Sequence, residues 1–331
     1  MKVKVRRLFR LFLFVFLLSA CGQTQDGKGK DKLTLMLDWY PNAVHSFIYV
    51  AQEKGYFDEA GLDVEIEMPS DANDPLRLAA AGKVDVAINY QSQLIMSQDE
   101  GVPVKGIASI VQQPLSELMV KNDASIQSPK DLEGKTVGVG TSMVPQALVQ
   151  ALVKADGGNP DKVNFIDVGY DLVPALATDR VDALMGAYIN HEKLLLEDEG
   201  YDIKTLPRAD YGLPSEMEML FVSGDQTIAK KRDLLQRFID AVQKGQQAVV
   251  QDPKAGLKTL LEQQNKDNAL NPEIEKRSLA LLLPLMGDEQ TPFGSQKEAQ
   301  YQALIDWMYQ AGIIQQNMAA KDVYIDLGGQ K

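Results

Sequence analysis

Apolar residues recur along the first third of the chain with two different periods. Alternation of apolar and polar residues is typical of strands, whereas a period of about 3.6 residues is typical of helices. On this basis the pattern predicts strands at residues 33–38, 64–68 and 84–89 and helices at residues 46–60 and 75–81. Strands that alternate with helices in this way predict a mostly parallel sheet with helices packed on its faces.

The same rhythm returns between residues 135 and 187, and parts of the two runs are alike in sequence. The second run predicts strands at residues 135–139, 163–168 and 183–187 and helices at residues 144–156 and 173–178. Residues 78–90 read LAAAGKVDVAINY, and residues 176–188 read LATDRVDALMGAY. Both combine a helix, a turn with a basic residue and Val-Asp, a strand and a final tyrosine. The repetition predicts an α/β protein with two lobes, each built on a mostly parallel sheet flanked by helices.

A second matched pair of segments predicts where the chain crosses between the lobes. Residues 117–123 read ELMVKND and residues 218–225 read EMLFVSGD, and each predicts a strand that runs into an Asp turn. If these are the crossovers, lobe 1 comprises residues 33–119 and 222–331, and lobe 2 comprises residues 120–221. After Gly224 the pattern is almost wholly helical, with helices predicted at residues 228–251, 253–264, 272–286 and 297–311.

The N-terminal pattern predicts export. Five cations precede an apolar run at residues 11–18, which is too short to cross a hydrocarbon core of roughly 30 Å. Small residues directly before Cys21 suit cleavage there, so residues 1–20 are predicted to be a signal peptide. The LSAC pattern at residues 18–21 resembles that of bacterial lipoproteins, which implies that lipidation of Cys21 would anchor the protein to the extracytoplasmic side of the cell membrane through a flexible spacer of residues 21–32. The alternative role for Cys21 is that of a structural thiol.

Charge and cysteine content narrow the classes of function. Loss of the five signal-peptide cations reduces 34 Lys and Arg to 29 against 46 Asp and Glu, so the net charge moves from −12 to −17. So acidic a surface makes nucleic acid an unsuitable partner. Cys21 is the only cysteine, and His45 and His191 are the only histidines, so neither a disulfide nor a metal site of several Cys or His is expected. A single His with carboxylates could still hold a metal. We predict no metal and no cofactor.

The densest polar and aromatic cluster is the run DWYPNAVH at residues 38–45, directly after the first predicted strand. In open α/β sheets, ligands bind beyond the carboxyl ends of the strands. Trp39 offers a flat face that can stack on a planar ring, Asp38 can accept hydrogen bonds from amino groups, and Asn42 can both donate and accept. These residues suit a planar, nitrogen-rich ligand. The alternative is that Trp39 belongs to the core and Asn42 caps the next helix.

A matching cluster, YINHE at residues 188–192, follows the last predicted strand of the second run. Tyr188 and Tyr90 end equivalent strands, so the carboxyl ends of the two sheets could face one cleft. The alternative is that both tyrosines are ordinary strand-end residues. The Glu192 carboxylate could bind an amino-substituted heterocycle and would disfavour an anion, or it could be a solvated first-turn residue.

Two further patterns bear on the kind of function. The run GVGTS at residues 138–142 lies between a strand and a helix and could hold a polar ligand group, but it lacks the residues of a nucleotide site. No nucleophile paired with a base is recognisable in the sequence. Hydrolysis is therefore not expected, and the chain is predicted not to be an enzyme.

The run LDWYPNAVHSFIYVAQEKGYF at residues 37–57 resembles a family that includes fungal thiamine-pyrimidine precursor synthases and substrate-binding proteins of bacterial ABC transporters. The resemblance to the pyrimidine-binding ThiY-type lipoproteins is close. It continues through LEGKTVG at residues 132–138 and RVDA at residues 180–183, and it covers nearly the whole mature chain. The Asp-Trp-x-Pro-Asn-x-x-His run is its specific part, since the other motifs also occur in sulfonate, taurine and nitrate binders.

This resemblance implies a periplasmic-binding-protein-like fold of type II, in which two lobes close about a hinge onto the ligand. The implied ligand is a formylaminopyrimidine, N-formyl-4-amino-5-aminomethyl-2-methylpyrimidine, delivered to an ABC permease for thiamin salvage. A monomer is expected because it suits delivery to a permease. The residues implied to bind the ligand are Trp39, Glu192, Asp38, Tyr188, Tyr90, Asn42, His45 and Gln91. In that picture Trp39 stacks on the pyrimidine, and Glu192 and Asp38 bind ring nitrogen or amino groups. Tyr90 and Tyr188 contact the ligand from either lobe when the lobes close. The polar wall is completed by Asn42, His45 and Gln91.

Two alternative functions are consistent with the same sequence. The fold could bind an alkylsulfonate, taurine or a riboflavin-like compound, although an anion site should show more basic residues near the strand ends. The fungal relatives make the pyrimidine phosphate with pyridoxal phosphate and a sacrificial histidine, and His45 aligns with their His-containing motif. Those synthases carry a cysteine-rich patch linked to iron, whereas Cys21 is the only cysteine here.

Overall fold

The computed structural model of the protein describes residues 29–71, 74–123, 125–140, 143–263 and 269–329. The predicted signal peptide at residues 1–20 and the predicted lipidation site Cys21 lie outside the described residues, as do Thr141 and Ser142 of the GVGTS run. Asp31–Lys331 forms one compact unit. Within the described ranges, every helix is too short or too polar to span a bilayer.

Ten described strands form two sheets of five. The strands are β1 (Asp31–Met36), β2 (Leu62–Glu67), β3 (Val86–Asn89), β4 (Val104–Val111), β5 (Leu118–Lys121), β6 (Thr136–Val139), β7 (Asn164–Asp167), β8 (Ala183–Met185), β9 (Ile203–Leu206) and β10 (Met219–Gly224). The first sheet has the order β2-β1-β3-β10-β4 and the second the order β7-β6-β8-β5-β9. In each sheet a single strand, β10 or β5, runs antiparallel to its neighbours. Both sheets are therefore mostly parallel, as the sequence predicted.

Helices cover the sheets and account for most of the C-terminal third. The α-helices of the described residues are α1 (Ser46–Glu53), α2 (Tyr56–Glu59), α3 (Asp74–Ala80), α4 (Gln91–Asp99), α5 (Met143–Ala155), α6 (Leu172–Ala177), α7 (Glu192–Asp198), α8 (Asp225–Gln251), α9 (Pro253–Gln263), α10 (Pro272–Leu282), α11 (Glu298–Gln310) and α12 (Ala320–Val323). The prediction of one helix at residues 46–60 is wrong, because α1 ends at Glu53 and Gly55 takes a left-handed conformation with φ of 74°. The helix predicted at residues 272–286 ends four residues earlier and continues as the 3₁₀ turn Leu283–Leu285.

The chain crosses between the sheets twice, at residues 112–117 and 207–218. Strand β5 lies wholly in the second sheet and β10 wholly in the first. The boundaries drawn from the sequence, before residues 120 and 222, therefore fall inside these two strands. The lobe division stays a prediction, and we propose that each lobe consists of the residues around one sheet, with the two crossover segments as the hinge.

A buried aromatic cluster holds the first sheet against its helices. Phe47 of α1, Phe221 of β10 and Phe238 of α8 are fully buried, and Phe221 meets the other two rings edge-on at 6.1 and 5.3 Å. Burial of such a side chain stabilises a fold by about 1.5–3 kcal/mol. Helix α1 directly follows the DWYPNAVH run, so this core also fixes one end of the loop that carries Asp38 and Trp39.

Candidate functional site

A cavity of about 130 Å³ lies where the carboxyl ends of strands from the two sheets face each other. A cavity of that volume has room for several water molecules or for a small ring compound. Six of the eight residues implied by the resemblance line it: Asp38, Trp39, Asn42, Tyr90, Tyr188 and Glu192. The structure therefore brings together residues that are up to 154 positions apart in the sequence.

Asp38 is fixed by two protein partners. The backbone N–H of Asn42 donates to Nδ1 of His45, so the neutral ring carries its proton on Nε2 and donates it to Oδ1 of Asp38 at 3.0 Å. The Tyr90 hydroxyl donates to Oδ2 at 2.8 Å. A carboxylate has about four acceptor sites, so Asp38 keeps the capacity to accept further hydrogen bonds from a ligand in the cavity.

Tyr90 and Tyr188 meet across the cavity from opposite sheets. Tyr90 directly follows β3, Tyr188 is the third residue after β8, and each strand lies third in its sheet. The two rings pack edge to face, with centroids 6.4 Å apart at 89°. Burial raises the pKa of both hydroxyls well above the usual value, and the Asp38 carboxylate adds to the rise at Tyr90. Both tyrosines are thus neutral hydrogen-bonding groups at any physiological pH.

Trp39 is half-buried and contacts a second aromatic residue that the sequence reasoning missed. Tyr170 follows β7 and Gly169, is 47% exposed, and places its ring centroid 4.2 Å from that of Trp39 at 50°. Both residues line the cavity, one from each sheet. The available signal was the position of Tyr170 just beyond a predicted strand, since strand ends carry the binding loops of such folds.

Glu192 has features of both roles that the sequence left open, that of a ligand-binding residue and that of a first-turn helix residue. It is the first residue of α7, and its Oε2 accepts the backbone N–H of Tyr188 at 2.7 Å, so part of its role is to order the helix start. It is nevertheless 7% exposed and lines the cavity. Asn42 is similar, because it lines the cavity while its Oδ1 caps a 3₁₀ turn through the N–H of Val44 at 3.1 Å.

His45 and Gln91 lie behind the cavity wall and do not line it. His45 is 1% exposed and supports two lining residues, because it donates to Asp38 and accepts the backbone N–H of Asn42. Gln91 is fully buried, and its Oε1 accepts the N–H of Met217 at 2.8 Å. The sequence placed both residues in the ligand-binding set, whereas their contacts are those of supporting residues.

On the side of the two crossover segments, the cavity wall is a buried charge cluster that the sequence reasoning missed. The guanidinium of Arg208 binds the carboxylate of Glu216 and lies 3.4 Å from Oε2 of Glu218. That oxygen also accepts the backbone N–H groups of Leu115 and Ser116 at 2.7 and 3.0 Å. The cluster therefore ties the two crossover segments together. Burial raises the pKa of Glu218, although the adjacent Arg208 charge opposes the rise.

The charge of the cavity wall disfavours anions. The ionisable carboxylates that line it are Asp38, Glu192, Glu216 and Glu218, and Arg208 is the lining cation among the described residues. This excess of negative charge acts in a partly dehydrated space, where electrostatic interactions are stronger than in water. An amine-bearing or neutral polar ring suits such a wall, whereas a sulfonate does not.

Two further residues from the sequence motifs line the cavity, and the described residues offer no metal site. Gly140 of the GVGTS run lines the cavity, and no group of three or more His, Cys, Asp or Glu within the described ranges could hold a metal. His191 also lines the cavity, and its Nε2 lies 3.0 Å from the hydroxyl of Tyr40.

Comparison with known proteins gives matches of family, sequence and fold. A family model described as NMT1/THI5 like matches residues 42–256. The chain is 35% identical to the formylaminopyrimidine-binding protein of Halalkalibacterium halodurans, over 97% of this chain and 98% of that protein. It is 31% identical to a putative thiamine biosynthesis protein of Haemophilus influenzae, over 98% of this chain and 100% of that protein.

The fold matches solved binding proteins. The alkanesulfonate-binding protein SsuA from Xanthomonas axonopodis pv. citri, bound to MOPS, superposes with a TM-score of 0.69 over 89% of this chain and 98% of that chain, at 13% identity. The likeness confirms the predicted fold class, that of a two-lobed periplasmic-binding-protein-like α/β protein.

Proposed function

The chain belongs to the NMT1/THI5-like family, as its sequence predicted, and from this premise we propose that it is the substrate-binding protein of an ABC transporter for formylaminopyrimidine. The ligand would be passed to the permease for thiamin salvage. The observation that carries the proposal is the acidic, aromatic cavity between the sheets, in a chain similar along its length to a formylaminopyrimidine-binding protein.

The chemistry of the wall supports an aminopyrimidine. Trp39 offers an indole face to a planar ring, and stacked aromatic pairs contribute about 0.5–1.5 kcal/mol beyond the area they bury. The carboxylates of Asp38 and Glu192 accept hydrogen bonds from amino groups. Because both are already held by protein donors, they need little reorganisation when a ligand arrives.

Closure of the lobes would couple binding to delivery. Trp39 and Tyr90 approach the cavity from the first sheet, and Tyr170, Tyr188 and Glu192 approach it from the second. A ligand that contacts both sets favours the closed arrangement, and a few kcal/mol of differential affinity suffices to shift the population. The permease would then recognise the closed protein.

The cellular location follows from the N-terminal pattern. We propose that the protein is extracytoplasmic and anchored through a lipid on Cys21. Cys21→Ser should abolish lipidation and release the protein from the membrane fraction, as measured by intact-protein mass and by fractionation. A wild-type protein of unmodified mass would refute the anchor without bearing on the ligand.

A ligand panel tests the proposed function. The thermal midpoint of the purified chain would be measured with formylaminopyrimidine, aminopyrimidine, thiamin, taurine, an alkylsulfonate, riboflavin and pyridoxal phosphate. A ligand at a hundred times its Kd adds about 2.7 kcal/mol to the free energy of unfolding and raises the midpoint. A rise with the pyrimidines alone supports salvage binding, whereas a rise with the sulfonates alone contradicts it.

A further inference from the structure

Helix α10 packs in the hydrophobic core beside the first sheet, but it also contacts the turn between β8 and α7, which belongs to the second sheet. Its residues Leu279 and Leu282 are buried in the cluster that contains Phe47 and Phe221. Its Ser278 side chain faces the turn between β8 and α7, where Oγ of Ser278 accepts Nδ2–H of Asn190 at 3.0 Å. The helix is therefore a direct contact between the lobes, outside the hinge.

One side chain of α10 contacts both loops that carry the proposed ligand-binding residues. Oε2 of Glu275 accepts the backbone N–H of Ala43 at 2.6 Å, next to Asn42. Oε1 of the same carboxylate lies 3.9 Å from Nδ1 of His191, next to Glu192, which is a charge-to-ring distance and not a hydrogen bond. Glu275 itself does not line the cavity, so it acts on the site only through these loops.

The degree of burial determines how strongly each of these contacts holds the lobes together. Glu275 is 1% exposed, and Ser278 and Asn190 are equally buried, so these groups have little water to return to when the contacts break. Burial raises the pKa of Glu275, and the neighbouring His191 and the Ala43 N–H oppose the rise. A third contact, from Arg277 to Glu197 at 2.9 Å, is partly exposed and contributes little.

We propose that Glu275 and Ser278 form an interlobe latch, in which Glu275 is a positioning residue that sets how long the closed lobes hold their ligand. The inference rests on the proposed function for the identity of the ligand. Contacts between Glu275, Ser278 and the turn after β8 exist only while the lobes are together. They therefore slow opening and ligand release, and they leave the first encounter with the ligand unchanged.

Ligand kinetics test the latch. Glu275→Gln keeps an acceptor for the Ala43 N–H and removes the negative charge beside His191, Ser278→Ala removes the acceptor for Asn190, and the two would also be combined. Release of formylaminopyrimidine, followed by stopped-flow tryptophan fluorescence, should speed up by ~5- to 20-fold in the double variant, as expected for loss of two buried contacts, while the association rate stays within about twofold. Glu273→Gln, at an exposed position of the same helix, should change neither rate.

The outcomes separate the latch from the proposed function. Unchanged release in the double variant, or an equal fall in association, overturns the latch and leaves formylaminopyrimidine binding intact. If the wild type does not bind the pyrimidine, the proposed function fails. The latch is then decided by small-angle scattering of the ligand-free chains, where the double variant should have the larger radius of gyration and an equal radius overturns the latch. If the double variant does not fold, Glu275→Gln alone serves in both measurements.

Discussion

Replacement of Glu192 by Gln separates the charge of this residue from its shape. Oε2 of Glu192 accepts the Tyr188 N–H at 2.7 Å, and a Gln carbonyl can accept the same bond, so the start of α7 should be preserved. What is lost is the negative charge at the cavity wall. Hydrogen bonds to a charged group contribute about 1.5–3 kcal/mol and those between neutral groups about 0.5–1.5 kcal/mol. The expected loss of binding free energy is the difference, about 1–2 kcal/mol, or roughly 5- to 30-fold in Kd.

Calorimetric titration with formylaminopyrimidine at pH 7 measures this loss. The matched control is Glu199→Gln, an exposed carboxylate just beyond the C-terminal end of the same helix, which should bind as the wild type does. Wild-type affinity in Glu192→Gln would refute the assignment of Glu192 to the ligand. An equal loss in both variants would show that the overall negative field, and not a contact with Glu192, attracts the ligand.

Three further predictions address the stacking face, the hinge and a buried acid. Trp39→Ala should weaken binding by about 1–3 kcal/mol, and Trp39→Phe by less, when both are titrated as above. Arg208→Met leaves Glu216 and Glu218 without their cation and should lower the free energy of unfolding in urea by about 3–5 kcal/mol, with part of the loss recovered by adding Glu216→Gln. Burial raises the pKa of Glu275, so the folded state holds the proton of this carboxyl group more tightly than the unfolded state does. The contribution of Glu275 to stability is therefore present at low pH and is lost as the pH rises above the ordinary pKa of a Glu side chain. Glu275→Gln lacks that titration, so its stability relative to the wild type should improve between pH 4 and 7, and a constant difference in urea midpoints would contradict this.

The sequence predicted those parts of the fold that depend on local periodicity. Strands β1, β3, β6 and β8 and the long helix α8 follow from runs of apolar residues with a clear period. The break between α1 and α2 was missed because a single glycine at position 55 interrupts a continuous amphipathic pattern, and its left-handed conformation is not visible in the periodicity.

The candidate site was predictable where its residues lie between the end of a strand and the start of the next turn or helix. Asp38, Trp39, Tyr90 and Tyr188 follow strands closely, Asn42 and Glu192 lie at the start of the next turn or helix, and the topology brings all six to one cavity. The Arg208 cluster depends on two crossover segments that meet only in the folded chain, and no local motif signals that meeting. His45 and Gln91 lie next to lining residues in the sequence, but the direction of a side chain, towards the cavity or behind its wall, depends on the three-dimensional packing.

The most direct test of the account is a crystal structure of the protein with formylaminopyrimidine. We expect the pyrimidine ring on the face of Trp39, with its amino and ring nitrogen atoms at hydrogen-bond distances of about 2.7–3.2 Å from Asp38 and Glu192. A ring bound away from Trp39, or a cavity that stays empty while an alkylsulfonate occupies it under the same conditions, would contradict the account.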